Sequence, residues 1–262
     1  MLEVVDVSLD IGKKRLLSNI SLRVQPNELL AICGPNGAGK STLMRLFSGE
    51  MKPTIGEVRW HGTSLQQWPA NALARCRALL QQQAEVGFDY AALEVILLGR
   101  HPQHQGAIRT IDMDIAQAAL QELDSQHLAT RIYTTLSGGE KAIVQMARAV
   151  AQIWESGANP RLLLLDEPTA ALDALQQHRI LGMAKRWANK ADVAVAAIVH
   201  DLNLAAQYAD RIALIKNGSL QIIGQTNAVM TTKTIEACFN LPCVQIAHPH
   251  GGAPLIASSR LF

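Results

Sequence analysis

The sequence predicts an α/β core with an N-terminal antiparallel β subdomain and an inserted α-helical subdomain. Three observations predict it. The N-terminal segment holds short alternating runs separated by turn residues. A middle stretch, at about 84–156, carries helical periodicity. Beyond it, apolar runs of strand length alternate with helical patterns, which indicates a parallel sheet with crossover helices. Residues 1–262 read as one domain, with the helical stretch as an insertion.

Each element follows in chain order. Residues 2–9 and 16–24 alternate in polarity. They are joined by Asp10-Ile11-Gly12-Lys13-Lys14-Arg15, a glycine turn with charged flanks that reads as a hairpin. Residues 28–33 form a short apolar run suited to a buried strand. That run ends in a Gly-rich turn at Gly34, and a helical pattern follows over 40–47. Residues 57–60 resemble another strand. From about 69 to 154 the pattern is helical. There Ile111, Ile115, Ala119 and Leu123 recur every four residues and predict one buried stripe. Residues 91–98 and 140–153 are also helix-like. Strands return at 161–165, 193–199 and 211–215, alternating with helical segments 174–188 and 202–208.

Composition narrows the function classes. A 48% hydrophobic content supplies a sizeable core and excludes intrinsic disorder. The net charge is +2, with both signs mixed along the chain. Nucleic acid as a partner usually demands a concentrated basic face, so none is expected. No apolar run approaches the roughly 18–20 residues needed to cross a bilayer. The opening Leu2-Glu3-Val4-Val5-Asp6-Val7 lacks the basic and apolar regions of a secretory signal. Cys33, Cys76, Cys238 and Cys243 form no C-x-x-C pair, so free thiols in a reducing cytoplasm are expected. The close pairs His101/His104 and His248/His250 lack the third ligand a zinc site needs.

Three motifs carry chemistry. Gly34-Pro35-Asn36-Gly37-Ala38-Gly39-Lys40-Ser41 matches G-x-x-x-x-G-K-[ST], with a strand before it and a helix after it. Its glycines let backbone N–H groups converge on a phosphate, and the helix N-terminus adds its positive end. Lys40 supplies a point charge for the β- and γ-phosphates, and Ser41 a hydroxyl for Mg²⁺. The second motif is Leu162-Leu163-Leu164-Leu165-Asp166-Glu167. Four leucines suit a strand buried on both faces, and the acidic pair follows at its C-terminal end, where open α/β sheets bind ligands. Asp166 would hold Mg²⁺ and Glu167 would polarise the attacking water. The third is Leu136-Ser137-Gly138-Gly139-Glu140, which opens a helix. It reads as a capping box, Ser137 with Glu140. Two glycines in a first turn cost very roughly 1 kcal/mol each. What they gain is a second exposed set of amides at a helix N-terminus, suited to phosphate.

Together these motifs resemble those of the ATP-binding cassette (ABC) ATPases, whose core is a P-loop NTPase fold. The resemblance covers nearly the whole chain. It rests on the ATP-binding loop at 34–42, ending in Thr42, the signature at 136–140, and the acidic strand end at 162–167. It also rests on Ala170-Ala171-Leu172-Asp173, whose Asp173 matches the D-loop aspartate, and on the switch histidine in Val199-His200-Asp201-Leu202. Gln82, within Leu79-Leu80-Gln81-Gln82-Gln83, aligns best with the family's Q-loop glutamine, a metal contact, in a register ambiguous by one. Two positions depart from the pattern. Ile11 stands where the family usually stacks an aromatic ring on adenine, and Gln81 where many relatives have proline.

The resemblance implies ATP and Mg²⁺ as ligands, Glu167 and His200 as catalytic residues, and a homodimer in which 136–140 of one copy faces the ATP of the other. Within the family the chain is similar to importer subunits for iron-siderophores, vitamin B12 and heme, and among these to the heme importers. The likeness lies in Gly99-Arg100-His101-Pro102, in residues 75–82, and in the lengthened 151–160. That implies two transmembrane permease subunits, docked near residues 82–104, with a substrate-binding protein beyond them. It places the chain on the cytoplasmic face of the cell inner membrane. An ABC ATPase acting on nucleic acid would instead predict a coiled-coil insertion, two cassettes in one chain, or a basic face. A different P-loop enzyme, such as a kinase, would leave 136–140 and His200 to coincidence.

Overall fold

A sheet of six strands runs through the centre of the protein, in the order β10-β9-β3-β8-β7-β6. Its strands are β3 (Glu28–Cys33), β6 (Arg77–Leu80), β7 (Arg161–Leu165), β8 (Val193–Ile198), β9 (Arg211–Lys216) and β10 (Ser219–Gln225). All pairs are parallel except β9 with β10. The computed structural model describes residues 1–81, 87–104, 106–155, 160–170, 172–190, 192–249 and 251–258.

Every residue of β3, β7 and β8 is buried, which is why these strands read as continuous apolar runs. Alternate side chains enter two different cores, as the two-residue period of a strand requires. Leu30, Ile32, Leu162, Leu164 and Ile198 face one core, and Leu29, Ala31, Leu163, Leu165 and Val195 the other.

The first core is closed by a second sheet, of antiparallel strands in the order β2-β1-β4-β5. These are β1 (Leu2–Ile11), β2 (Lys14–Val24), β4 (Ile55–Trp60) and β5 (Thr63–Ser64). Helices α1 (Lys40–Phe47) and α2 (Ala70–Cys76) contribute to the same core. The second core is covered by helices α3 (Ala92–Leu98), α4 (Thr110–Gln121), α5 (Gly138–Gln152), α6 (Ala174–Ala188) and α7 (Leu202–Tyr208). Of these, α3, α4 and α5 lie in sequence between β6 and β7, and they pack on one another. Helices α8 (Thr226–Val229) and α9 (Thr232–Phe239) follow, then a separate hairpin of β11 (Cys243–Ile246) and β12 (Leu255–Ser258). Among the described residues, no helix is long and apolar enough to cross a membrane.

The structure differs from the sequence expectation in four places. The first hairpin is tighter: Asp10 pairs with Arg15 and Ile11 with Lys14, so only Gly12-Lys13 form the turn. Strand β6 lies inside the stretch expected to be helical throughout. Arg77-Ala78-Leu79-Leu80 has no strand signature of its own, and pairing with β7 decides its state. Ile111 is exposed rather than part of the buried stripe. The inward place in the first turn of α4 belongs to Asp112, which is wholly buried against Arg100. From Asp112 the stripe continues through Ile115, Ala119 and Leu123, all buried. Finally, β10 and all elements after it had no counterpart in the expectation.

Candidate nucleotide site

Strands β3, β7 and β8 run parallel and in register, so their C-terminal ends lie side by side. Ile32 is opposite Ile198, Leu165 opposite Ala197, and Leu80 opposite Leu165. Adjacent strands lie about 4.8 Å apart. The residues just past each end, Gly34, Asp166 with Glu167, and His200, are therefore gathered at one edge of the sheet. Beside them opens a cleft of about 970 Å³ lined by Asn36 to Thr42, Glu167, His200, Lys14 to Leu16, and Asn217-Gly218.

The loop after β3 needs glycine at particular positions. Gly34 has φ 154°, and a Cβ there would stand 2.0 Å from the Ile215 carbonyl oxygen. Gly39 has φ 101°, and its Cβ would stand 2.7 Å from Leu17. Lys40 opens α1 with only 5% of its surface exposed. Its Nζ donates to the carbonyls of Gly34 and Pro35, each at 2.9 Å. An ammonium has three donors, so the third remains for a ligand in the cleft. Burial lowers the Lys40 pKa, opposed by the Glu167 carboxylate. The negative charge of a polyphosphate would offset that burial cost, so the site fits one.

Ser41 Oγ donates to Asp166 Oδ1 at 3.3 Å, on the edge of an adjoining cavity of about 330 Å³ that Arg45, Glu50 and Gln81 also line. Burial raises the Asp166 pKa, and the Ser41 hydrogen bond partly offsets it. Two oxygens on a half-buried, destabilised carboxylate suit a hard divalent cation. Gln82, the expected third metal contact, lies outside the described residues, as do Ala171, residues 156–159 and His250.

Glu167 Oε1 and His200 Nε2 are 2.7 Å apart at the mouth of the cleft. Glu167 adopts φ 53°, a left-handed conformation uncommon for a side chain of its kind. Such strain gathers at active and ligand-clamping sites. The arrangement places a carboxylate, with an imidazole bonded to it, beside a phosphate cradle.

The signature lies elsewhere. Ser137 caps α5: its backbone N–H donates to Glu140 Oε2 at 2.8 Å, and its Oγ accepts from the Glu140 N–H at 3.3 Å. Leu136 is buried, while Ser137 and Gly138 are exposed. A Cβ on Gly138 would meet nothing within 4 Å, and one on Gly139 would touch Gln176 of α6. Asp173 caps α6 by accepting from the Gln176 N–H at 2.8 Å. None of residues 136–140 lines the cleft around Lys40.

Sequence reasoning missed two contributors. The hairpin β9–β10 turns at Asn217-Gly218, with φ 50° and 74°. The Gly218 N–H donates to Ala38 O at 2.9 Å, and its carbonyl accepts from the Ser18 N–H at 2.8 Å. The turn thus pins the phosphate loop to β2. An Asn-Gly pair is a strong hairpin signal and is plain in the sequence. The second is Arg100, wholly buried, which bonds Asp112 at 3.0 Å, Ala151 O at 2.7 Å and Glu155 at 2.6 Å. It ties α3, α4 and α5 together, and with Arg109 it holds the Asp112 carboxyl far below the usual range.

Comparison with known proteins agrees with this geometry. Residues 17–170 match the family model described as ABC transporter. A hemin import ATP-binding protein HmuV of Methylobacillus flagellatus is 64% identical over 99% of this chain and 97% of that protein. Its counterpart of the same name in Gloeobacter violaceus is 45% identical over 98% and 93%. Among solved structures, a chain of an inward-facing metal-chelate type ABC transporter superposes with a TM-score of 0.83 at 25% identity, covering 99% of this chain and 98% of that one. A dimeric bacterial ABC transporter cassette superposes at 0.74 with 27% identity, covering 86% and 98%.

Proposed function

The chain belongs to the ABC transporter ATP-binding family, and on that footing we propose that it hydrolyses ATP to drive a bacterial importer whose cargo is heme. The observation that carries the cargo is end-to-end likeness to proteins named for hemin import. Residues 1–262 serve as one ATP-binding domain, with about 84–156 as its helical subdomain.

The backbone N–H groups of residues 34–42, Pro35 excepted, and the third donor of Lys40 hold the triphosphate. Ser41 and Asp166, with Gln82, hold Mg²⁺, which when bound neutralises charge on the phosphate oxygens. Glu167 takes the proton of the attacking water. His200, bonded to Glu167, orients that carboxylate and reaches toward the γ-phosphate. Residues 136–140 of a second copy close over the same nucleotide, with Asp173 of the D-loop near the junction. That reading is supported by the exposed position of Gly138, by the absence of residues 136–140 from the lining of this chain's own cleft, and by the dimeric cassette among the structural neighbours. ATP then binds the closed pair better than the open one, and this differential affinity drives closure.

Two permease subunits dock beside the helical subdomain at the cytoplasmic face of the inner membrane, with a substrate-binding protein beyond. Phe88, 72% exposed, and Tyr90, its edge-to-face neighbour at 6.1 Å, offer the contact surface together with Leu98. Val95, Ile96 and Leu97 are core instead. Uptake into vesicles holding the reconstituted transporter tests the proposal. Heme should enter only with ATP inside reach of this subunit. Uptake of ferric siderophore or cobalamin in its place would reassign the cargo, a reading the metal-chelate neighbour favours. ATP-dependent entry of none of the three would sink the importer.

A further inference from the structure

The first hairpin contributes to the cleft through residues other than the expected Ile11. Ile11 is 53% exposed and is not among the residues lining the cleft, whereas Arg15 and Leu16 are. The Leu16 carbonyl lies 3.2 Å from where a Cβ on Gly39 would stand, so β2 begins against the phosphate loop and Arg15 is the next residue outward. Arg15 is held in place. Its Nε donates to Asp10 Oδ1 at 2.8 Å and its Nη2 to Asp10 Oδ2 at 2.9 Å, a two-point fork across the hairpin. Asp10 is itself fixed, its N–H donating to Thr54 Oγ1 at 2.9 Å. The fork uses the edge of the guanidinium and takes no bond from its faces; about half of the side chain, 51%, is exposed.

A flat, delocalised cation stacks on aromatic rings, and a fixed one does so with little loss of rotamer freedom. The geometry points to Arg15, locked by Asp10, as the platform on which the purine base of the nucleotide stacks, in place of an aromatic side chain. The inference rests on the reading of the cleft as an ATP site. It makes Arg15 a binding residue for the base and gives no role to its charge at the phosphates.

Binding of ATP and of inorganic tripolyphosphate to the purified chain, measured by calorimetry, separates these roles. Base stacking contributes about tenfold in affinity toward the lower end of its known range. Arg15→Lys keeps the charge and loses the plane. It should bind ATP about tenfold more weakly and tripolyphosphate as the parent does, which also shows that the cradle is intact. Arg15→Tyr should restore ATP affinity to near the parental value. If Arg15→Lys binds ATP as the parent does, or if both ligands weaken equally, the platform is wrong while the ATP site stands. If the parent binds neither ligand, the ATP-site reading falls and the platform with it.

Discussion

Glu167 combines a strained backbone, a place in the mouth of the cleft, and a 2.7 Å contact with His200. Glu167→Gln keeps its shape but cannot take a proton. ATP hydrolysis should fall by at least about a hundredfold, the usual weight of a general base, while ATP binding persists. Near-parental turnover in the purified variant would remove Glu167 from the chemistry. Its neighbour Asp166 makes a different prediction, on stability. Burial raises its pKa, so the folded protein holds the Asp166 proton more tightly than the unfolded chain. The contribution is therefore greatest below the ordinary aspartate pKa and is lost as pH rises through the raised value. In metal-free buffer at neutral pH, Asp166→Asn should melt a few degrees above the parent. With ATP and Mg²⁺ added the order should reverse, because only the parent then gains full ligand stabilisation. A variant that melts lower without ligands contradicts the burial cost.

At the scale of elements, the phosphate loop depends on a hairpin far along the chain. A Cβ on Gly218 would come within 2.4 Å of the Leu16 carbonyl, at a φ of 74°. Gly218→Ala should thus cost roughly 1–3 kcal/mol and weaken ATP binding along with stability. A urea midpoint and an ATP affinity both unchanged would show that the brace is idle. The same element shows what a sequence reveals. The cradle, the capping box at Ser137 and the buried strands β3, β7 and β8 were legible because each rests on local pattern: glycine spacing, a cap, an apolar run. Strand β6 was not, since Ala78 and Leu79 take their state from β7. Nor was Asp112, a carboxylate at a core position made tolerable by Arg100, whose partners come from two other helices. Arg15 falls between these cases. The charge was visible, and only the two-residue turn shows that it faces Asp10 and the cleft.

At the scale of the assembly, the proposed shared site requires two copies to meet before one ATP engages both sets of helix N-terminal amides. Ser137→Arg adds bulk and charge to the exposed cap of α5 and leaves the chain's own cradle untouched. It should bind ATP but neither pair nor hydrolyse it. Mixed with Lys40→Ala protein, it forms dimers with one doubly damaged site and one intact site, and hydrolysis should reappear in part. Normal turnover by Ser137→Arg alone would refute the shared site. A demonstrated mixed dimer that hydrolyses nothing would mean either that the sites do not complement across copies or that both must fire together.

The brace at Gly218 also bears on how the protein is made. A ribosome delivers residues 34–42 early, yet β3 lies between β8 and β9, and the loop is fastened by the turn at Asn217-Gly218. A nascent polypeptide that has just passed α1 thus owns every residue of the motif but lacks the neighbouring strands and the turn that fasten it. Photolabelling of arrested nascent chains with an azido nucleotide should begin only once residue 218 has cleared the tunnel, and labelling of chains that stop before β8 would disprove it. On this topology nucleotide capture is expected to be a late property of the growing chain.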